Sequence, residues 1–600
     1  ASVLYRWDAM TAQSEEVIGP IYLLAYVHPD KAIRDAGEAC IVKATAFETG
    51  LYQNPALYQR VEAVDPDNEV DEKLRDDLLN AFIDTGVNLP ELPRKRAKEI
   101  LDKIQALAQE FNRNLRENPK KLSFTPQEQT GLPQSYIQRI GKDKDGNITV
   151  GFDYPDFVPF MTNAENGAAR ERYYRAFQNR GTPRNIEILD EIVGLRLELA
   201  RLHDMDSYAE LITQRYMVEE PDTVEDFLDD VADAVHAAER IELAELAELK
   251  AEHLNKAPAE VSIQPWDKSF YLERLRRSRY DIDQEKLRKY FPTPATLQWI
   301  LAMSAELYGI RFEPQRVPLW HEDVLYYDVR DAASDAFIGG MYLDLYPREG
   351  KYGHAAAFPV RGSSTRIKRT PISVLVTNFD RQGLNFREVE TFLHEIGHVL
   401  HGVLSKTRYV NHAGTHVERD FVEAPSQMFE AWARRPETLG LLKVLCEACP
   451  VIDAELAKRL DSARRLGSGL TYARQHLYAS YDMALASDEP QAALPLWQRM
   501  EGETPMGYPK NTEFPGTFAH IAGGYAAGYY GYMWSEALAL DMLSSFGNNL
   551  MNPKVGMRFR EMVLARGGSR TAADMVEDFL GRDTEPDAFF REIQGAGLED

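Results

Sequence analysis

Thirteen histidines are spread over 600 residues, yet five of them fall between His394 and His416 and nine lie after residue 320. Imidazoles gathered this closely point to metal ligation or acid–base chemistry, and the tightest group is His394-Glu395-Ile396-Gly397-His398. On a helix turning about 100° per residue, His394 and His398 come within about 40° of each other, so both rings can face one ion. Glu395 stands one step round, beside that ion rather than on it. This is the H-E-x-x-H pattern, in which two histidines hold Zn²⁺ and the glutamate acts on a bound water. The competing reading is a helix whose His and Glu merely satisfy one another. Accidental matches in such a chain are expected fewer than about 0.05 times, which favours the metal.

The histidines need a rigid carrier, and residues 385–404 supply one. Val389, Phe392, Leu393, Ile396, Val399, Leu400, Val403 and Leu404 recur at helical spacing and form a buried stripe. Asn385, with Glu388 three residues on, predicts a capping box at its start. A catalytic zinc takes three protein ligands and leaves a fourth position open. His401, His412, His416, Glu418, Asp420 and Glu423 are candidates for the third. His401 lies about 10 Å along the axis from His394, too far to share an ion with both imidazoles, so it is expected to pack or to sit behind the ligands. Residues 420–430 read as the start of another helix, with Asp420 as cap and Pro425 in its first turn. Glu423, Gln427 and Glu430 then share one face; one can reach the metal while the others orient its ligands.

These residues resemble a known family. His394-Glu-x-Gly-His398-x-x-His401, followed by Asp420-Phe-x-Glu423-x-Pro-Ser-Gln427, is similar to the thimet oligopeptidase family of zinc peptidases, which includes the bacterial oligopeptidase A and dipeptidyl carboxypeptidase types. The similarity extends to Tyr342-Leu-Asp-Leu-Tyr-Pro-Arg-Glu-Gly-Lys-Tyr-Gly-His354 and to Gly523-Gly-Tyr-Ala-Ala-Gly-Tyr-Tyr-Gly-Tyr532, and more weakly to Trp266-Asp267. The resemblance implies one Zn²⁺ per chain on His394, His398 and Glu423, with Glu395 as general base. It also implies that His520, Tyr525 and Tyr532 face the substrate, Tyr532 as oxyanion donor, and that Tyr529 positions the substrate. Gly523 and Gly524 would let this segment bend against a bound peptide. The implied fold is mainly α: two helical lobes flank a deep channel that admits short unstructured peptides and excludes folded proteins.

The rest of the chain agrees with such a scaffold. Six hundred residues exceed one compact core, so two or more lobes are expected. Helical periodicity marks 14–26, 31–49, 70–85 and 92–116, a hairpin is predicted at 141–153, and 223–254 reads as a long acidic helix. Pro314 and Pro318 mark a boundary, predicting a mostly helical lobe over 1–320 as one channel wall and a catalytic lobe over 321–600. In the second, the segments 324–329, 337–346 and 372–379 predict a small antiparallel sheet beside the metal helix.

The net charge of −25 argues against nucleic acid or an anionic membrane as partner, and no apolar run is long enough to span a bilayer. Cys446 and Cys449 are read as two buried thiols, and three cysteines in all suggest a reducing, cytoplasmic setting. Short peptides are the expected partners and a monomer the expected state. Two alternatives to internal cleavage stand: release of C-terminal dipeptides, with Arg361, Arg366 or Lys368 anchoring the terminal carboxylate, and a non-catalytic peptide-binding protein.

Overall fold

Apolar residues three and four apart, separated by charge, fold as helices Ser2–Val27, Lys31–Tyr52, Glu69–Asp84 and Glu91–Arg116 in the computed structural model, which describes residues 2–595. The first helix starts well before the expected residue 14. Asp8 sits on its buried side with Leu4 and Trp7, and this acid masks the apolar period. A short helix, Pro55–Glu62, was not anticipated; Asn54 caps it by accepting from the N–H groups of Ala56 and Leu57. The long acidic helix is present as Pro221–Leu254.

The hairpin expected at 141–153 is only half right. The turn at Asp145-Gly146 forms, but β2 (Ile148–Val150) pairs antiparallel with β1 (Leu122–Phe124) across the intervening helix Gln134–Ile140. Leu122 and Phe124 carry too few alternating residues to stand out in a sequence.

Five strands make the sheet beside the metal helix: β3 (Ile310–Pro314), β4 (Leu325–Asp331), β5 (Phe337–Asp344), β6 (Ala356–Arg361) and β7 (Ile372–Val376), in the order β3-β4-β5-β7-β6. Three pairings are antiparallel and β5 with β7 is parallel, so the sheet is mixed rather than purely antiparallel. The cause is β6. It folds back on the outer side of β7, and its Pro359, tolerated only on an edge, hides it from a strand pattern.

The core clusters draw on distant stretches. One joins the helix Thr293–Tyr308 to the sheet and to the helix Phe386–Leu404; another joins residues 107–235 to residues 472–593. Cys446 and Cys449 are corrected from two thiols to a disulfide. They follow the helix Pro436–Leu445, and their Cα atoms lie 5.3 Å apart, within bridging range, so cysteine use no longer argues for a reducing compartment. No helix among the described residues is long and apolar enough to cross a membrane.

Candidate active site

The helix Phe386–Leu404 begins with the expected capping box. Asn385 Oδ1 accepts from the Glu388 N–H at 2.9 Å, and Glu388 Oε2 accepts from the Asn385 N–H at 2.8 Å. Its apolar stripe is buried in the largest core cluster, which turns His394 and His398 toward a cavity of about 1940 Å³ lined by both halves of the chain. Gly397 has a steric purpose. A Cβ there would lie 2.6 Å from Ser426 Cα, so glycine lets the helix Ala424–Glu430 close against this one. Glu423 stands at the N-cap of that second helix and is carried to the imidazoles by the close approach.

Glu423 Oε2 lies 3.2 Å from His394 Nε2 and 3.0 Å from His398 Nε2, and the three ligand atoms fall within 4.8 Å of one another. Glu430 Oε1 lies 2.8 Å from His394 Nδ1; with the proton on Nδ1, the Nε2 lone pair faces the other two ligands. Arg434 in turn holds Glu430 at 3.2 Å. Two imidazole nitrogens and one carboxylate oxygen, fixed from behind in this way, fit a zinc-type divalent cation. The three groups also perturb one another's charge strongly. Burial alone would raise the Glu423 pKa, but both histidines outweigh it and hold the carboxyl well below its usual range. Burial would lower His394, yet Glu423 and Glu430 carry it well above the imidazole range.

Glu395 is buried beside the cluster and lines the cavity. Burial raises its pKa against the pull of His394 and His398, and the Ala357 N–H of β6 donates to it.

The glycine- and tyrosine-rich segment closes over this group. Tyr525 Oη donates to Glu423 Oε1 at 2.8 Å, and the rings of Tyr525 and Tyr532 stack with centroids 5.4 Å apart. His520 lies edge-on to Tyr525, Tyr529 and Tyr532 at 5.6, 5.6 and 6.1 Å. Burial lowers the His520 pKa, leaving a neutral ring that can donate one N–H. His520, Gly524, Tyr525, Tyr529 and Tyr532 all line the cavity; Gly523 lies behind, its carbonyl accepting from Arg196 Nη2 at 2.9 Å.

A protein-family model described as Peptidase family M3 matches residues 160–595. The chain belongs to peptidase family M3. Saccharolysin of Saccharomyces cerevisiae is 32% identical to this M3 peptidase over 96% of the chain and 87% of the yeast protein. Thimet-like oligopeptidase of Dictyostelium discoideum is 30% identical over 99% and 93%. Oligopeptidase A of Escherichia coli is 30% identical over 97% and 92%. Among solved structures, PZ peptidase A with inhibitor 2 shares the fold, with a TM-score of 0.59 at 13% identity over 96% of this chain and 88% of that one. M3 peptidases are zinc metallopeptidases, in keeping with the His-His-Glu group.

Several sequence expectations for this M3 peptidase change. Asp420 does not cap a helix, because the helix starts later; its carboxylate accepts from Met217 N, Val218 N and Tyr530 Oη at 3.0, 3.3 and 3.0 Å. Gln427 holds the tyrosine segment rather than a ligand, donating to Tyr532 O at 2.9 Å. Of the two roles expected for His401 the structure keeps one: it is fully buried and neither ring nitrogen has a hydrogen-bond partner among the described residues, so it packs rather than orienting a ligand. Arg361 and Arg366 are engaged by Glu16 and Asp8 of the first helix, and Lys368 is a turn residue with φ 56°.

Two residues escaped the sequence reading altogether. Arg196 donates to the carbonyls of Ile521 and Gly523, and Asp482 accepts from the N–H groups of Ala527, Gly528 and Tyr529 at 2.9, 3.0 and 3.0 Å. A cation and an anion thus grip opposite ends of the tyrosine segment. One clue was available: Asp482 falls in helical register with Ala479 and Ala486, an acid on an apolar face.

Proposed function

We propose that this M3 peptidase is a zinc-dependent oligopeptidase that hydrolyses short, unstructured peptides at internal bonds, with Glu395 as general base. The observation that carries it is the convergence of His394, His398 and Glu423 beside buried Glu395 on the wall of a large cavity. Zn²⁺ held by those three residues would supply a Lewis acid that polarises the scissile carbonyl and makes water nucleophilic near neutral pH.

Glu395 accepts the proton of the attacking water and passes it to the leaving amine; its raised pKa brings it nearer the pH at which it must both take and give. Tyr532 and His520 present O–H and N–H donors toward the oxygen on which negative charge develops, a contribution commonly worth about 10² to 10³ in rate, while Tyr525 faces the substrate with its hydroxyl donated to Glu423. Tyr529 positions the peptide, and the Gly523-Gly524 turn lets the segment follow it. Residues 1–320 furnish one wall of the channel and residues 321–600 the catalytic side. Arg361 and Arg366, two of the three cations first considered as anchors for C-terminal dipeptide release, are paired to acids of the first helix, so neither is free for that role.

Glu395→Gln is the decisive variant. It is expected to retain one zinc per chain by metal analysis while kcat falls roughly 10²- to 10⁴-fold. Turnover at the original rate, or peptide hydrolysis by metal-free protein, overturns the proposal. A folded protein incubated beside its own short fragments tests the size limit; the fragments are cut and the folded chain survives.

A further inference from the structure

The cations around the channel are mostly paired: Arg348 and Lys351 with Asp344, Arg474 with Glu501. Arg180 is not. It follows the helix Gly167–Gln178, lines the channel, and has no carboxylate within 4.0 Å among the described residues. Its Nε donates to Phe177 O at 2.9 Å, its Nη1 to Phe152 O at 3.3 Å, and its guanidinium lies 3.6 Å from the centroid of the Phe177 ring. Those contacts fix the plane of the group and leave Nη2 without an acceptor among the described residues. The acid whose charge reaches it, Asp153, is solvent-exposed and beyond ion-pair distance. Burial pulls the guanidinium pKa down, because these neighbours do not make up for lost water.

Two further donors stand close by, for the Phe177 ring that carries Arg180 also packs edge-on to Tyr154 at 6.0 Å, and His354 feels the Arg180 charge. Tyr154 and His354 also line the channel, with their rings edge-on at 5.1 Å, and neither hydroxyl nor imidazole has a hydrogen-bond partner among the described residues. His354, whose ring is open to the channel, has its pKa lowered by desolvation there and by the nearby His520 and Arg180, so it stays neutral at pH 7 and carries one N–H. This corner adjoins the catalytic group on two sides. Tyr352 packs on His354 at 5.5 Å and feels the charge of Glu395, and His354 itself feels His520.

We propose that Arg180, His354 and Tyr154 form a subsite for a carboxylate of the bound peptide, either its free C-terminus or an acidic side chain near the scissile bond. A planar guanidinium held by stacking matches a carboxylate with two parallel N–H bonds, and an ammonium does not. The assignment rests on the peptide-channel function proposed above, and it goes further by naming the chemistry the channel selects.

The test reads binding without turnover, by calorimetry on zinc-loaded Glu395→Gln protein. A short peptide with a free C-terminus and no other acid is compared with its C-terminal amide and with amides carrying one internal glutamate. Ten- to hundred-fold tighter binding of the free acid than of the amide, abolished by an added Arg180→Gln and partly kept by Arg180→Lys, supports the subsite with the C-terminus as its ligand. Recovery of that difference by one internal glutamate instead supports the side chain as the source. Equal binding of acid, amide and glutamate peptides, or an Arg180→Gln loss that is the same for all three, overturns the proposal. Failure of wild-type protein to cut any of them is a separate result, counting against the peptidase function and not against a measured carboxylate preference.

Discussion

Asp482 touches none of the three metal-ligand residues and meets the tyrosine segment only through its backbone, yet the placement of that segment depends on it. Its Oδ2 accepts from Gly528 and Tyr529 and its Oδ1 from Ala527, all three within a buried environment. Asp482→Asn can keep two of these bonds with its amide oxygen but sets an NH₂ against the Ala527 N–H, at a cost of about 1–3 kcal/mol. Asp482→Ala orphans all three donors, roughly 3–9 kcal/mol if the segment stayed in place. It will move instead to hydrate them, carrying Tyr525, Tyr529 and Tyr532 away from the cluster, and a displacement of about 1 Å costs on the order of 10²-fold in rate. The expected outcome is a graded fall in kcat on an internally quenched peptide, about tenfold for Asn and about a hundredfold for Ala, with zinc content unchanged.

The same residue gives a pH signature. Burial pushes the Asp482 carboxyl up to about 6, so the folded protein binds its proton more readily than the unfolded chain does. The stability it contributes is therefore present at low pH and lost as pH rises through about 6, while acceptance from three N–H groups needs the carboxylate, so kcat falls as pH drops through the same range. Asp482→Asn lacks that acid limb. Wild-type kcat, pH profile and melting temperature in Asp482→Ala would refute the reasoning.

His401, buried with neither ring nitrogen partnered among the described residues and its pKa lowered to about 3 by burial, resists protonation that the unfolded chain accepts. Its stability is present above the ordinary imidazole range and lost on acidification, about 2 kcal/mol between pH 7 and pH 5, so urea unfolding of His401→Leu should show that much less loss; an equal loss would exonerate this ring. Asp8 is fully buried and accepts from Val410 N, Ser364 Oγ and Arg366. Asp8→Ala should cost about 3–5 kcal/mol by urea unfolding, and removal of Arg366 as well should restore part of it; a cost under about 1 kcal/mol contradicts the assigned burial.

What could be read in advance followed from local physics. The metal helix declared itself because its apolar period, its cap and its imidazole spacing all lie within twenty residues, and Glu423 was reachable because Pro425 and the shared face with Glu430 marked a second helix. Asp420 was misjudged because a cap and a long-range acceptor look alike when the partners, Met217 and Tyr530, lie some 200 and 110 residues away. Arg196 and Arg180 were invisible for the same reason, since nothing in a helix of the first half reveals what it will face. Strand β6 was hidden by Pro359, and the first helix was foreshortened by an acid turned inward. The misses are contacts whose meaning is supplied by a remote stretch of chain.

That dependence on remote chain has a cost during synthesis. Asp8 cannot find the Val410 amide until some 400 residues more have been made, which at typical ribosomal speeds takes about 20–80 s. Leu4 and Trp7 can pack early on Val61, Leu74 and Phe82, but Leu23 must wait for Phe358, Val374 and Val376, and Gly19, whose missing side chain lets the helix press on the Val360 carbonyl, has no strand to press on until then. The first helix can thus bury one face on its near neighbours early, while its other face completes only when the sheet and the Val410 region have been made.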